Sequence, residues 1–289
     1  MKKLIALRKV VETGSFTRAA EALGYTQSSL SQMIASLENE FSIKLLKRSR
    51  KGITLTQEGI KLYPYIQRSI QQFEAMEGMA TEIKGLKTGI IRIGAIASIS
   101  RYWLPSMIKE FQEQYPKINF ILKQGDYTSI YKLIKEGQVD FGFLTPKTSG
   151  NLKMKIIKSG EMGAIVSSSH KMANKKIVRI EDLVKDPFIL LEEGNYSEPL
   201  EAFKKALCYP SIKYRIHDDN TIMTMVEENL GISILSKLIM EKTNFNIVYL
   251  PIQPKIERII GIAYQDEFSL PIASKYFINF ILARKEKLK

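Results

Sequence analysis

The sequence predicts an α/β protein with a mainly helical amino-terminal head, a long linker helix and a carboxy-terminal region of two doubly wound α/β units. Apolar residues recur at helical spacing through the head, whereas short apolar strands alternate with amphipathic helices from Thr88 onward. This change divides the chain into a head over residues 1–59, a linker over 60–87 and an α/β region over 88–289. Within that region we expect one subdomain over 88–160 and 266–289, and a second over 161–265.

The composition favours an anionic partner. The 289 residues carry a formal net charge of +13, and the first 87 hold 14 Lys and Arg against 8 Asp and Glu. A solvated lysine-rich surface is the alternative explanation. A single cysteine, Cys208, excludes an intrachain disulfide, and two histidines, His170 and His217, are too few for a metal cluster. We expect no cofactor, and the absence of an export signal or apolar span predicts a cytoplasmic protein without a membrane partner.

Three short helices are predicted in the head. The first ends at Gly14, Ser15 caps a second that ends at Gly24, and Thr26 caps a third. One apolar stripe runs along the third helix and comprises Leu30, Ile34, Leu37 and Phe41. Two helices, a tight glycine turn and a further helix form the helix-turn-helix motif, whose final helix enters the major groove of DNA.

The face of the third helix opposite its apolar stripe predicts contact with DNA bases. It carries neutral hydrogen-bonding side chains where a solvated face usually has lysine and glutamate, and with Thr26 at the helix start these are Gln27, Ser28, Ser31 and Gln32. Glutamines can donate and accept together, as adenine readout requires, and serines can bond bases or phosphates. A three-helix bundle with a polar face is the alternative.

A basic segment follows the third helix. Residues 46–59 read as a β-hairpin wing whose tip, around Gly52, carries cationic side chains. A wing beside the groove can neutralise phosphates or enter the minor groove. We therefore assign Arg48, Arg50 and Lys51 to the DNA-binding surface.

The linker reads as one long helix from Thr56, as its cap, to about Lys84. Apolar residues recur along it at spacings of three and four: Ile66, Ile70, Phe73, Met76, Ala80 and Ile83. Such a seam on a helix attached to a small domain predicts dimerisation, and packing within one chain is the alternative. Pro64 lies inside the helix and should kink or loosen it.

The α/β region is predicted to hold eight strands and five helices. The strands are expected at residues 89–95, 117–125, 139–145, 161–170, 186–194, 212–218, 231–236 and 258–265, and the helices at 98–116, 127–138, 197–207, 220–231 and 272–287. Two doubly wound units joined by crossing strands would leave a cleft lined by strand ends and helix amino termini.

Residues 14–59 resemble the LysR-type transcriptional regulators. The helix spacing, the Thr-Gln-Ser start of the third helix, the basic wing and the Leu-Thr-x-x-Gly ending at Gly59 agree together. Further stretches look like the effector-binding domain of that family, so that the resemblance covers essentially the whole chain: residues 89–116, 137–142, 167–192 and 228–236.

The resemblance implies a winged helix-turn-helix, a linker helix that pairs two subunits, and a type 2 periplasmic-binding-protein-like domain whose cleft binds a small effector. It implies dimers that pair into tetramers. By motif position, the major groove would receive Gln27, Ser28, Ser31 and Gln32, and the wing would carry Arg48 and Arg50.

The resemblance also implies effector-binding positions. The position after the first strand of the α/β region falls on Ser98, with Ile99 and Ser100 beside it, and free backbone N–H groups there would suit a carboxylate. A simple N-cap role for Ser98 or Ser100 is the alternative. The remaining candidates follow other strands or begin other helices: Tyr127, Thr128, Thr145, Asn195, Tyr196 and Thr221. Together they predict a polar site with few formal charges.

Two other classes of function compete with this interpretation. The sequence contains neither a nucleophile elbow nor a dinucleotide fingerprint, P-loop or zinc motif, so we expect no enzyme. We read His170 and His217 as turn and loop residues, and Cys208 as a packed or half-exposed thiol. A solute receptor would need neither Arg48 nor the linker seam.

We therefore expect a sequence-specific transcriptional regulator of the LysR type that is controlled by a small-molecule effector. Its expected partners are double-stranded DNA with an inverted-repeat promoter site, the effector, further copies of the chain and RNA polymerase.

Overall fold

The computed structural model describes residues 1–49, 52–82, 88–242 and 244–288, without the side chains of residues 48, 49, 78, 79, 81, 82, 241 and 242. The chain divides into two compact units. The first comprises Met1–Gly85 with Lys135–Gln138 and Phe268–Ile272, and the second comprises the remaining residues. None of the helices within these described ranges combines the length and hydropathy that crossing a lipid bilayer requires.

The helices of the head begin and end where the sequence predicts. They are α1 (Lys2–Thr13), α2 (Phe16–Leu23) and α3 (Gln27–Phe41). Gly14 and Gly24 adopt φ of 63° and 70°, the left-handed conformation that ends a helix at low cost for glycine. Ser15 accepts a hydrogen bond from the amide of Arg18, and Thr26 accepts one from the amide of Ser29. Both predicted N-caps are confirmed.

The apolar stripe of α3 faces the core of the head. Leu30, Ile34 and Leu37 are at most 3% exposed and pack with the apolar faces of α1 and α2. Phe41, which the sequence places on the same stripe, is 44% exposed. The prediction for Phe41 is wrong because α3 ends at this residue, with Ser42 in the left-handed conformation behind it.

A short antiparallel hairpin follows α3 and forms the predicted wing. Strands β1 (Leu46–Ser49) and β2 (Gly52–Leu55) pair with Leu46 opposite Leu55. The base of the wing is tied to α3 by Glu38, which is 7% exposed and accepts hydrogen bonds from Lys44 Nζ, Leu45 N and Leu46 N. Burial alone would raise the pKa of Glu38, but these hydrogen bonds hold it below its ordinary value.

The linker is helical as predicted. Helix α4 (Gln57–Glu82) continues through Pro64, and Thr56 Oγ1 accepts a hydrogen bond from Gly59 N at 2.9 Å, which confirms the predicted cap. An ion pair of 3.0 Å between Arg8 Nη2 and Glu74 Oε1 joins α4 to α1.

The second unit contains the predicted alternation of strands and helices. Its strands are β3 (Gly89–Ala95), β4 (Ile118–Gln124), β5 (Phe141–Leu144), β6 (Lys153–Ser167), β7 (Val178–Arg179), β8 (Pro187–Leu191), β9 (Ser211–Ile216), β10 (Ser233–Ser236) and β11 (Ile247–Tyr264). Its helices are α5 (Ala97–Tyr102), α6 (Leu104–Gln114), α7 (Tyr127–Lys135), α8 (Glu198–Lys205), α9 (Asp219–Glu227) and α10 (Ile272–Ala283).

Two long strands cross between the subdomains. The main sheet has the order β10-β6-β11-β5-β3-β4, with β7 also paired to β11, while β8 and β9 form a separate parallel pair. Strands β6 and β11 run antiparallel beside each other from Ile247 opposite Ser167 to Tyr264 opposite Lys153. They belong to both subdomains, so that the cleft lies where these strands pass from one subdomain to the other.

Two details differ from the prediction. The helix expected over 98–116 is divided at Trp103 into α5 and α6, because Pro105 near the start of α6 lacks the N–H that a continuous helix needs. The strand expected at 161–170 is the end of the longer β6, which stops at Ser167 before a turn over 168–170, and the strand expected at 258–265 is the end of the longer β11, which stops at Tyr264. Since Gly261–Ala263 already pair with β5, the chain returns to the first subdomain before residue 266.

The Glu38 contacts generate a stability prediction. Glu38→Ala would leave the amides of Leu45 and Leu46 without their acceptor, and should lower the free energy of unfolding of the head by about 2 kcal/mol. Because the folded pKa of Glu38 is depressed, its contribution should be present above the ordinary value of 4.5 and lost as the pH falls through the lower folded value.

Amide hydrogen exchange at Leu45 and Leu46, together with urea unfolding, measures this effect. Glu21→Ala on the exposed face of α2 is the matched control and should change neither. Unchanged exchange in Glu38→Ala would contradict the prediction.

Candidate effector cleft and nucleic-acid interface

Two cavities lie on either side of a buried charged network in the second unit. One, here named the Ser98 cavity, has a volume of about 450 Å³. The other, the Glu198 cavity, has a volume of about 570 Å³. Both are lined by segments of the two subdomains and by β11, so they form two parts of one cleft.

The Ser98 cavity is bordered by the ends of strands and the loops that follow them. The first subdomain contributes Ile96–Ser98 after β3, Gln124–Asp126 after β4 and Ser129 of α7. The second contributes Leu191–Glu193 after β8 and His217–Asp219 before α9. This is the expected place for a ligand in a doubly wound sheet, outside the carboxyl ends of the strands.

The Glu198 cavity opens beside β11. The first subdomain contributes Thr145–Lys147 after β5, and the second contributes Tyr196, Glu198, Glu201 and Lys205 on and before α8. Residues Pro254–Glu257 of β11 close the cavity on a third side.

Arg258 is the centre of the charged network between the cavities. It lies on β11 opposite Gly160, where the strands cross, and its side chain is 5% exposed. Its guanidinium donates from Nε to Tyr127 Oη at 2.9 Å, from Nη1 to Ser98 Oγ at 3.4 Å and from Nη2 to Glu193 Oε1. The Tyr127 hydroxyl donates in turn to Glu198 Oε1 at 3.2 Å. One arginine therefore joins both subdomains.

Burial and neighbouring charges shift the pKa values of the residues in this network. Burial raises the pKa of Glu193 more than the neighbouring Arg258 guanidinium lowers it. Burial likewise raises the pKa of the Tyr127 phenol well above its ordinary value. Burial alone would lower the pKa of Arg258, but Glu193, Tyr127 and Glu198 together raise it above its ordinary value, so Arg258 stays charged.

Backbone contacts also join the subdomains at this point. Tyr127 N at the start of α7 donates to Glu193 O at 3.2 Å, and Asn195 N donates to Thr128 Oγ1 at 2.9 Å. Gly194 between them adopts φ of 85°, and a Cβ there would lie 2.4 Å from Thr128 Oγ1. The loop after β8 therefore approaches α7 as closely as a glycine allows, and the cleft is closed at its centre.

The N-cap expectation for Ser98 is wrong, whereas its effector-binding role stays a prediction. Helix α5 has six residues and its N-cap is Ile96, so Ser98 is not a capping residue, and its hydroxyl accepts a hydrogen bond from Arg258. The Ser98 side chain lines its cavity as an acceptor that Arg258 already occupies. The Ser100 hydroxyl is buried and has no hydrogen-bond partner among the described residues.

The structure distributes the other predicted effector residues over different places. Thr145 and Tyr196 line the Glu198 cavity. Ile99 lines a third cavity of about 740 Å³ beside Trp103 and Lys158. Tyr127 is fully buried within the network. Thr128 and Asn195 form the contact between α7 and the loop after β8. Thr221 donates two hydrogen bonds, from its N and its Oγ1, to Asp218 Oδ2.

The predicted polar site with few formal charges is wrong. The Ser98 cavity alone is lined by five carboxylates and one arginine: Asp126, Glu192, Glu193, Asp218, Asp219 and Arg258. The sequence carried a signal for them, because two glutamates end an apolar strand and an arginine interrupts the apolar run of β11. His217, predicted as a loop residue, lies on the wall of this cavity with Nε2 3.3 Å from Glu192 Oε2.

The candidate DNA surface lies on α3 of the head. Thr26, Gln27, Ser28 and Gln32 are exposed and Ser31 is half-buried, on the face opposite Leu30 and Ile34. Gln27 Nε2 donates to Ser31 Oγ at 3.2 Å, and Thr26 Oγ1 lies 3.1 Å from Ser28 Oγ. Of the predicted wing residues, Arg50, Lys51 and the side chain of Arg48 lie outside the described part of the chain.

Only part of the predicted dimerisation seam is exposed on the chain. Ile66 and Ile70 are 5% and 0% exposed and pack into the core of the head with Ala6 and Leu7. The prediction is wrong for these two residues, because the first half of α4 packs against its own chain. Phe73 is half-buried, while Met76 and Ala80 are exposed. Ile83 lies outside the described residues.

The described residues bear on two further points, metal binding and the environment of the single thiol. No group of three or more His, Cys, Asp and Glu side chains within them could hold a metal ion. Cys208 is half-buried at the edge of an apolar cluster, and its thiol lies 3.7 Å from Phe203 O.

Family comparisons match both parts of the chain. Residues 1–60 match the family described as bacterial regulatory helix-turn-helix protein, lysR family, and residues 84–286 match the LysR substrate binding domain. The chain belongs to the LysR family of transcriptional regulators, which combine a helix-turn-helix with an effector-binding domain.

Relatives of known sequence are similar over most of the chain. The HTH-type transcriptional regulator YvbU of Bacillus subtilis is 29% identical over 274 residues, which cover 94% of each chain. A regulator of Methanocaldococcus jannaschii, MJ0300, is 30% identical over 78% of each chain. The transcriptional dual regulator GltC of Bacillus subtilis is 26% identical over 91% of this chain and 89% of its own.

Solved structures share the fold. Full-length OxyR from Pseudomonas aeruginosa has a TM-score of 0.80 at 21% identity and covers 96% of this chain and 93% of its own. The effector-binding domain of QuiR in complex with shikimate has a TM-score of 0.63 at 23% identity, over 70% of this chain and 99% of its own.

The Arg258 network generates a second stability prediction. Arg258→Met would leave Glu193 and Glu198 buried without their countercharge, and should lower the free energy of unfolding of the second unit by about 3–5 kcal/mol. Urea unfolding followed by circular dichroism measures the loss. The control is Arg215→Met, because Arg215 pairs with Glu192 at 3.4 Å on the surface and should contribute less than about 1 kcal/mol. Equal losses in the two variants would contradict the central role of Arg258.

Proposed function

We propose that this LysR-family regulator reads DNA with the polar face of α3 and senses a small molecule in the cleft that contains Arg258. The observation that carries the first part is the exposed row of neutral hydrogen-bonding side chains at the start of α3, next to a buried apolar stripe. A helix of this kind can enter the major groove with Gln27, Ser28, Ser31 and Gln32 towards base edges and Thr26 towards the phosphates. Arg48, Arg50 and Lys51 would supply phosphate contacts from the wing.

We propose a dimer whose linker helices meet beyond the part of α4 that packs on the head. The exposed Met76 and Ala80 and the half-buried Phe73 follow one another at spacings of three and four, which supports a seam on this half of the helix. Two recognition helices held in this way would read an inverted-repeat promoter site. Pairing of dimers into tetramers and contact with RNA polymerase are part of the same proposal, and rest on the family.

We propose that the effector binds in the two cavities between the subdomains and that the protein catalyses no reaction. Several acidic side chains that line the Ser98 cavity already have partners, since Asp218 caps α9, Glu192 pairs with Arg215 and Glu193 pairs with Arg258. An effector can shift the arrangement of the subdomains only by its difference in affinity for the two arrangements. Since the expected partner is DNA, the expected compartment is the cytoplasm.

Two variants can separate base readout by α3 from phosphate contact by the wing. Gln32→Ala should change base preference at one position of each half-site, because a glutamine contact with a base edge is lost. Arg50→Ala should weaken binding to all sequences alike and reduce the salt slope by about one, because a phosphate contact is lost. Selection from random duplexes with sequencing measures the first effect, and mobility shift at several salt concentrations measures the second.

Asn39→Ala, an exposed amide at the other end of α3, is the matched control and should leave both unchanged. Uniform weakening on all sequences by Gln32→Ala would reject its role in base readout.

The proposed seam can be tested by placing a charge in it. Met76→Asp should shift the sedimentation equilibrium towards monomer, because the carboxylate would be buried between two chains. Met76 is 59% exposed in the single chain, so the variant should still fold. Ile60→Asp is the control, since Ile60 is 54% exposed on the opposite side of the same helix, about 160° away at 100° per residue. A mass unchanged by Met76→Asp, or equally reduced by Ile60→Asp, would reject this seam.

A further inference from the structure

Glu198 has an acceptor atom without a partner in the described part of the chain. The residue is 4% exposed at the start of α8 and lines the Glu198 cavity. Its Oε1 accepts the hydrogen bond of the Tyr127 hydroxyl, whereas its Oε2 is buried and has no hydrogen-bond partner within the described residues. A buried carboxylate oxygen without a donor is costly, so that a donor arriving with a ligand would be favoured.

The network around Glu198 also holds more negative than positive charge. Glu193 and Glu198 face a single guanidinium, and the three nitrogens of Arg258 already donate to Tyr127, Ser98 and Glu193. Arg258 Nε is 4.0 Å from Glu198 Oε1, beyond hydrogen-bond distance. Arg258 therefore forms a hydrogen bond with one carboxylate, whereas the second, Glu198, has this cation only at 4.0 Å and has no hydrogen-bonded cation among the described residues.

The walls of both cavities carry more carboxylates than cations. The Ser98 cavity is lined by five carboxylates against one arginine. Three of these carboxylates already have a cation, since Asp219 pairs with Arg101 at 3.2 Å, Glu192 pairs with Arg215 at 3.4 Å and Glu193 pairs with Arg258. The Glu198 cavity is lined by four glutamates and three lysines, of which Lys255 pairs with Glu161 at 2.9 Å. This distribution contrasts with the net charge of +13 of the whole chain.

We propose that the cleft takes a cationic organic ligand, an amine or guanidinium compound, whose N–H group donates to Glu198 Oε2. This inference rests on the proposed effector role of the cleft and specifies the charge of the effector. The cation would neutralise the second carboxylate and bridge α8 of one subdomain to the Arg258 network. Thr145 and Tyr196, which line the same cavity, would contact the body of the ligand. The proposed ligand is therefore opposite in charge to the carboxylate that the sequence at the start of α5 suggests.

A matched series of probes tests the charge. Isothermal titration of the full-length protein would compare 1,5-diaminopentane and agmatine with 1,5-pentanediol and glutarate, which have similar length and differ in charge. We expect a cationic probe to bind at least tenfold more tightly than the diol and glutarate. Tighter binding of glutarate or the diol would overturn the inference and leave the effector role of the cleft intact. Binding by none of the four would overturn both, provided that DNA binding shows the protein to be native.

Two variants locate the contact. Glu198→Gln keeps one oxygen that can accept the hydrogen bond of Tyr127. It removes the negative charge and puts an amide NH2 group in place of the free oxygen, so it should weaken binding of the cationic probe at least tenfold. Glu201→Gln, on the wall of the same cavity, is the matched control and should change the affinity less than threefold. A crystal structure of the wild-type protein with the tighter cationic probe should show nitrogen within hydrogen-bond distance of Glu198 Oε2. Full affinity in Glu198→Gln, or a probe bound elsewhere, would overturn the inference.

Discussion

The ion pair between Arg258 and Glu193 is the interaction on which the effector-binding domain depends. Arg258 lies on a strand that belongs to both subdomains, and Glu193 lies on a loop of the second subdomain that contacts α7 of the first. Moving the subdomains apart would separate these buried charges and break the hydrogen bonds to Tyr127 and Ser98. Because unpaired buried charge costs several kcal/mol, closure of the cleft is coupled to the state of this one arginine.

The same network explains how a ligand could act at a distance from DNA. Glu198 is hydrogen-bonded to the Tyr127 hydroxyl and lies 4.0 Å from Arg258 Nε, so a ligand that engages its other oxygen changes the charge balance without displacing the pair of Arg258 and Glu193. Any such change can alter the arrangement of the subdomains only by its differential affinity for each arrangement. In the head, by contrast, geometry is set by short-range contacts: the caps at Ser15 and Thr26, the glycine turns, and the Glu38 carboxylate that ties the wing to α3.

The local signals in the sequence were sufficient for most of the fold. Glycine at Gly14 and Gly24, hydroxyl caps and helical periodicity depend on neighbours within a few residues, so the head could be predicted closely. The cleft could not, because its residues come together through the pairing of β6 with β11. The Ser98 hydroxyl accepts a hydrogen bond from Arg258, 160 residues along the chain, and no local pattern around Ser98 indicates this partner. Ile66 and Ile70 fitted a seam by spacing alone, and periodicity does not say which surface an apolar face will cover.

The most direct test of this account is whether the two subdomains of the ligand-free protein are held in one arrangement. Spin labels would be attached through Glu113→Cys on α6 and Lys204→Cys on α8 in a Cys208→Ser background, with labelled chains diluted in unlabelled protein so that only distances within one chain are measured. Pulsed electron resonance at neutral pH should give a single narrow distance distribution, because the hydrogen bonds of Arg258 that join the two subdomains form without a ligand. A broad or two-component distribution would contradict the account, since it would mean that the network does not keep the cleft closed.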